Sequence, residues 1–183
     1  LQYELSYTNV LNMLELAGIP LRSADRHDLF NIVVGGGPCV CNPEPLADFF
    51  DIFFLGDGEE VDIEVMELYR QCKKEGKSKL EFLEQAAQDG TVKAYTPTHG
   101  APATIKKRVI RDMDKAYYPK DFVVPLIDVV HNRISEEVLR GCIRGCRFCQ
   151  AGFLYRPYRE KSIETIDRQC RDLFHSTGYD EIS

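Results

Sequence analysis

Residues 51–60, DIFFLGDGEE, read as a short apolar strand, a Gly-Asp-Gly turn and the first turn of a helix. An apolar run without alternation is the pattern of a strand covered on both faces. The helix it feeds is expected from about Glu59 to Lys74, with Val61, Val65, Leu68, Tyr69 and Cys72 along one face. The same theme stands upstream, where LFNIVV, residues 29–34, runs into GGGP. Between the two, PEPLADFF, residues 43–50, predicts a short helix with proline in its first turn. Before both, residues 6–17 put Val10, Leu11, Leu14 and Ala17 on one helical face, with Ser6 or Thr8 as N-cap and Gly18 as the stop. The order α, β, α, β, α predicts an α/β protein with a doubly wound parallel sheet, in which ligands sit beyond the carboxyl ends of strands, here Gly35–Gly37 and Gly56–Gly58.

Further along the periodicity weakens. KKEGKSK, residues 73–79, reads as a charged, flexible bridge, LEFLEQAAQ as a short helix closed by Gly90, and YTPTHGAPAT, residues 95–104, as a Pro/Gly-rich loop. VVPLIDVV, residues 123–130, resumes strand-like character, and EEVLRGC leads into a cysteine loop. Residues 162–178 predict a helix with Ser162 as N-cap and Gly178 just past its end. The chain opens at Leu1 and ends in YDEIS, a strand just beginning, so it is expected to be a fragment of a longer protein.

Of the 183 residues 44% are hydrophobic and 28% charged with both signs mixed, a composition that builds a core. The net charge of −6 provides no broad attraction to nucleic acid or anionic membrane, although Lys106, Lys107 and Arg108 form a local basic cluster. No apolar run approaches the roughly 20 residues needed to cross a bilayer, so the reading is a cytoplasmic protein with no membrane partner. Seven cysteines is an odd number, and in a reducing compartment a tight triplet points to metal rather than to disulfides.

That triplet lies in RGCIRGCRFCQAG, residues 140–152. Cys142, Cys146 and Cys149 follow C-x3-C-x2-C, with Gly141 and Gly145 letting the backbone wrap tightly. A 4Fe–4S cluster held by three thiolates leaves one iron open for an outside ligand. The alternative is a zinc-stabilised, non-enzymatic interaction module that takes His131, Cys170 or His175 as fourth ligand. Cys170 falls within the last amphipathic helix, where a buried apolar thiol is the plainer reading.

With Phe148 before its last cysteine, the motif Cys142-Ile143-Arg144-Gly145-Cys146-Arg147-Phe148-Cys149 resembles the signature of radical S-adenosylmethionine (radical SAM) enzymes. The resemblance implies that Cys142, Cys146 and Cys149 bind a 4Fe–4S cluster, that S-adenosylmethionine chelates its open iron, and that Phe148 lies against the adenine. Reductive cleavage to a 5′-deoxyadenosyl radical, which abstracts hydrogen from a substrate, would then follow, with electrons from an external donor such as flavodoxin or ferredoxin. No catalytic residue beyond these is assigned.

With GGPCVCNPEPLADFFDIFFLGDGEEV ahead of the cysteine loop, the chain resembles a branch of that superfamily in which a cobalamin-binding-like domain precedes the radical barrel. Residues 1–72 would be the later part of that domain, 73–128 a connector, and 129–183 the first strand, cluster loop, helix and second strand of a TIM-like barrel. The family's later S-adenosylmethionine contacts would fall past Ser183, so the fragment alone is expected to be inactive. Cobalamin stays open as a cofactor without a histidine motif to support it. The near match to Asp-x-His-x-x-Gly, Asp25-Arg26-His27-Asp28-Leu29-Phe30, lacks the glycine, and His27 reads as an exposed loop residue.

Other stretches carry double readings. GGGP lines a cobalamin tail by resemblance and is equally a plain turn. Cys39 and Cys41 suit a labile metal or redox pair, with small loop residues as the plainer reading. GDGEE looks like a cation loop, yet its acids already stabilise a helix dipole. Arg144 and Arg147 tune a cluster or are solvated. YRPYREK, residues 155–161, contacts substrate or the S-adenosylmethionine carboxylate through Arg156 or Arg159, or presents an aromatic and cationic surface to RNA, or packs on the following helix.

Overall fold

The computed structural model describes residues 1–88, 92–94 and 104–183, which form two compact units, Leu1–Val109 and Ile110–Ser183. Gly90 and most of the Pro/Gly-rich stretch at 95–104 lie outside the described residues.

The first unit is α/β. Its elements are α1 (Tyr7–Leu16), β1 (Val34–Gly35), β2 (Ile52–Phe54), α2 (Gly58–Glu75), α3 (Lys79–Ala87) and β3 (Val92–Ala94). The sheet order is β1-β2-β3. β1 and β2 are parallel, pairing Val34 with Ile52 and Gly35 with Phe53, whereas β3 runs antiparallel to β2. The expected all-parallel sheet is thus two parallel strands with an antiparallel third, and the third falls in the stretch expected to be connector. β2 is central and wholly buried at Ile52 and Phe53. β1 is an edge, and Val34 is 43% exposed rather than covered on both faces.

Successive side chains of β2 point to opposite faces, and each face has its own core. Ile52 packs with Val61, Val65 and Cys72 of α2, Phe82, Leu83 and Ala86 of α3, and Val92. Phe53 packs with Val40, Leu46 and Phe50, on which Tyr7 and Val10 of α1 also rest. The PEPLADFF stretch forms a single 3-10 turn, Glu44–Leu46, instead of an α-helix, and Ala17, expected on the buried face of α1, is exposed.

KKEGKSK is not a flexible bridge. α2 absorbs its first three residues, Gly76 closes that helix in the left-handed conformation (φ 67°), and Ser78 opens α3 with a reciprocal capping box to Glu81. The last residue, Lys79, is buried: its ammonium lies 2.6 Å from Asp51 Oδ1 and donates to the carbonyls of Ser23 and Arg26 at 2.7 and 2.8 Å. Asp51, wholly buried, also accepts from Arg26 at 3.0 Å, from the Val33 amide at 2.7 Å and from the Ser23 hydroxyl. A lone carboxylate there would be untenable, and two cations with two further donors satisfy it.

The second unit holds β4 (Leu139–Arg140), α4 (Ala151–Leu154), β5 (Arg159–Glu160) and α5 (Ile163–Thr177). α5 begins and ends where expected: the Ser162 hydroxyl accepts from the Thr165 amide and Gly178 takes φ 72°. VVPLIDVV is not a strand. Val123, Leu126 and Val130 are 97%, 104% and 92% exposed, and Pro125 has no amide to donate. Parallel pairing occurs further on, between Ile134, which is buried, and Ile182, which is exposed, on either side of the cysteine loop and α5. This β–α–β pairing is a single bridge and does not by itself amount to a barrel.

Candidate functional site

The cysteine loop, residues 141–158, hangs from a two-stranded neck in which Leu139 faces Glu160 and Arg140 faces Arg159. Two arginines opposite one another repel, and each has its own acceptors. Glu137 accepts from Arg140 at 2.7 and 2.9 Å, while Arg159 donates to the carbonyls of Pro157 and Ile110 at 3.1 and 2.7 Å. Below the neck the Lys161 amide donates to Val138, and its ammonium reaches Glu136 at 2.6 Å and Gln169 Oε1 at 2.7 Å. The Lys161 and Glu136 side chains are 3% and 6% exposed. This buried pair joins the two stems of the loop to each other and to α5.

At the neck Gly141 has φ 98°, and a Cβ there would meet the backbone of Tyr155, Pro157 and Tyr158 at 2.8 Å. Only glycine allows that approach. Gly145, by contrast, has open space around it and no positive φ. Within the loop the Cys149 amide donates to the Cys146 carbonyl, closing a turn, and Cys142 Sγ accepts from the Arg144 amide at 3.4 Å. α4 folds back on the first arm, so that a Cβ on the buried Gly152 would come within 3.1 Å of the Arg144 carbonyl.

Cys142, Cys146 and Cys149 are all free thiols, the first and last half-buried and Cys146 exposed. Phe148 is 92% exposed. The structure carries the three thiols on one loop but does not gather them: among the described residues no group of three or more His, Cys, Asp or Glu side chains is placed to hold a metal ion. The fourth ligands considered for zinc sit elsewhere. His131 is engaged by Arg133 at 3.3 Å, His175 is exposed near the end of α5, and burial, aided by Glu136 and Asp167, pushes the Cys170 thiol up, favouring its protonated form. The donor types are those an iron–sulfur cluster uses, three thiols within residues 142–149 with a backbone amide directed at one of them, although the loop does not draw the three together here.

In the first unit a cavity of about 530 Å³ opens beside the sheet edge, lined by Val34, Gly36, Phe54, Met66, Tyr69 and Phe82 among others, with Asp62 at its wall. Burial, then Glu59, raises the Asp62 carboxyl. Among the described residues its lining contains no histidine, and His27 is exposed beside a separate hollow that Arg22 and Asp48 also line. Arg26 of the Asp-x-His near match is spent on Asp51. These residues provide no histidine ligand for cobalt. Of the GDGEE acids, Glu60 accepts from Arg108 at 3.3 Å, and the same guanidinium donates to Glu64, one turn on, at 3.1 and 2.5 Å. Cys39 and Cys41 are free thiols, and burial raises Cys41 while Lys107 opposes it.

The residues that residue order did not single out are Asp51, Lys79, Glu136, Lys161 and Gln169, because their partners lie 8 to 56 positions away. The Ser78-Lys79-Leu80-Glu81 capping box was the one local signal that α3 begins at Lys79.

No helix among the described residues is long and apolar enough to cross a membrane. No solved structure matches the chain. An uncharacterised protein of Methanocaldococcus jannaschii, MJ0966, is 30% identical over 176 residues, covering 91% of this chain and 32% of that protein. The chain thus spans about a third of the length of this curated relative. The family described as "Radical SAM proteins, N-terminal" matches residues 1–97, more than half of the 183 residues. On that match the chain belongs to the radical SAM proteins, through the N-terminal region of the family.

Proposed function

We propose that this chain is part of a radical SAM enzyme in which Cys142, Cys146 and Cys149 hold a 4Fe–4S cluster that binds S-adenosylmethionine. The observation that carries the reading is three free thiols within residues 142–149, on a loop whose neck is pinned at Gly141 and whose stems are latched by Lys161 and Glu136. Bound there, a cluster would supply one-electron reduction of S-adenosylmethionine, the chemistry that yields a 5′-deoxyadenosyl radical for hydrogen abstraction.

The protein's part is placement. Three thiolates would leave one coordination position open, and the Arg144 amide, which donates to Cys142 Sγ at 3.4 Å, would help to orient that ligand. Phe148, exposed on this loop, is free to cover the adenine of a bound cosubstrate. Electrons would come from a flavodoxin- or ferredoxin-like donor in the cytoplasm.

The test is low-temperature EPR of anaerobically reconstituted, reduced full-length protein, with and without S-adenosylmethionine. A 4Fe–4S signal that shifts on addition supports the reading. Stoichiometric zinc without iron overturns it in favour of a structural module, as does full retention of iron and sulfide by Cys149→Ala.

A further inference from the structure

The cluster loop is the opposite of its surroundings in charge. From Arg140 to Arg159 the chain carries five arginines, no lysine and no carboxylate, within a sequence of net charge −6. Two of the arginines are used in the neck, as described. Arg144, Arg147 and Arg156 are exposed, and none of them has a salt bridge among the described residues. Arg156 lies over the Phe153 ring at 5.2 Å.

Exposed aromatic rings accompany these cations. Phe153, Tyr155 and Tyr158 are 57%, 42% and 40% exposed, and the Tyr158 hydroxyl donates to Glu160 at 2.6 Å, which anchors the tip of the side chain. The fold brings the two arms together: Gly152 sits against the Arg144 backbone, and Gly141 against Tyr155 to Tyr158. Arg144, Arg156 and the three rings therefore belong to one folded loop.

Guanidinium groups bind phosphate bidentately and stack on bases, and open aromatic faces offer platforms for unpaired bases. An acidic protein partner would be attracted by the charge alone and has no use for three open rings. We propose that this loop is a binding surface for single-stranded nucleic acid, RNA in the first instance. It rests on the functional reading above only in making a polynucleotide the substrate class. Binding and cluster content are measured separately, so that either can fail alone.

The experiment is fluorescence anisotropy with the reconstituted full-length protein and labelled 12-nucleotide RNA and DNA of one mixed sequence across a salt series, with iron content recorded for each variant. Arg144→Gln/Arg147→Gln/Arg156→Gln should weaken RNA binding at least tenfold and reduce the salt slope by about 2, on about 0.7 per phosphate contact for single strands. Phe153→Leu/Tyr158→Leu should weaken it about tenfold or more with the slope unchanged. Arg70→Gln/Lys73→Gln/Lys74→Gln on α2, the same change of charge elsewhere, should leave it unchanged. Tighter binding of RNA than DNA supports RNA as the ligand, and equal binding supports single strands generally. Absence of binding to both probes, or a triple arginine variant that binds like wild type, overturns the proposal. So does binding of a polyglutamate peptide that needs the arginines but not the rings, in the absence of RNA binding, since that pattern assigns the loop to an acidic protein.

Discussion

The Lys161 ammonium lies 2.6 Å from the Glu136 carboxylate with both side chains almost wholly buried, and this pair ties together the stems on either side of the cysteine loop. Gln169, itself fully buried, accepts from the same ammonium. Removing one member leaves the other charge stranded. Lys161→Met should therefore cost about 3–5 kcal/mol in urea unfolding followed by far-UV circular dichroism. Lys161→Met/Glu136→Leu should recover much of that loss, since no buried charge is left alone. Equal stabilities for the single and double variants would refute the pairing argument.

Gly141→Ala should disrupt the loop neck where Gly145→Ala does not. The first puts a Cβ 2.8 Å from three backbone atoms at φ 98°, and the second adds a methyl to open space. Strain of this kind costs about 1–3 kcal/mol before any repacking. The measurement is iron per chain after anaerobic reconstitution of full-length protein, expected to fall by more than half in Gly141→Ala and to match wild type in Gly145→Ala.

Asp51→Asn in the first unit should cost about 3–5 kcal/mol by denaturant unfolding, because it strands Arg26 and Lys79, whose side chains are 1% and 9% exposed. Arg22→Gln, which breaks the exposed pair with Asp48, should change stability by less than about 1 kcal/mol. Similar costs for the two would mean that burial does not decide the worth of these pairs.

The Ser162 amide donates to Asp114 at 2.7 Å, and this bond is the first cause of a carboxyl held below its ordinary range. The fold favours the ionised form, so its contribution is present above the unfolded value of about 3.9 and is lost as pH falls through the lower folded value. Asp114→Asn should melt below wild type at pH 6, and the gap should narrow as pH falls below about 3.9. A gap that does not narrow over that acid range would show that the charge is not its source.

Local chemistry was readable wherever a few adjacent residues settle the outcome. Ser162 and Gly178 bound α5 because a hydroxyl cap and a left-handed glycine act within one turn. Val61, Val65 and Cys72 face the core because helical spacing alone aligns them. VVPLIDVV misled for the complementary reason: apolar, β-branched residues are suited to a strand, but a strand exists only where a neighbour pairs with it, and here the pairing falls to Ile134 and Ile182.

The candidate site divides along the same line. Three cysteines spaced by three and two residues, with an aromatic before the last, are a property of residue order, and so is the chemistry that thiolates offer iron. That Gly141 is the indispensable glycine and Gly145 is not depends on Tyr155 to Tyr158 returning across the neck. That Lys79 is buried against Asp51, and Lys161 against Glu136, depends on folding that brings distant charges into a place without water. Burial makes those charges need one another, and burial arises only when the whole chain has collapsed around them.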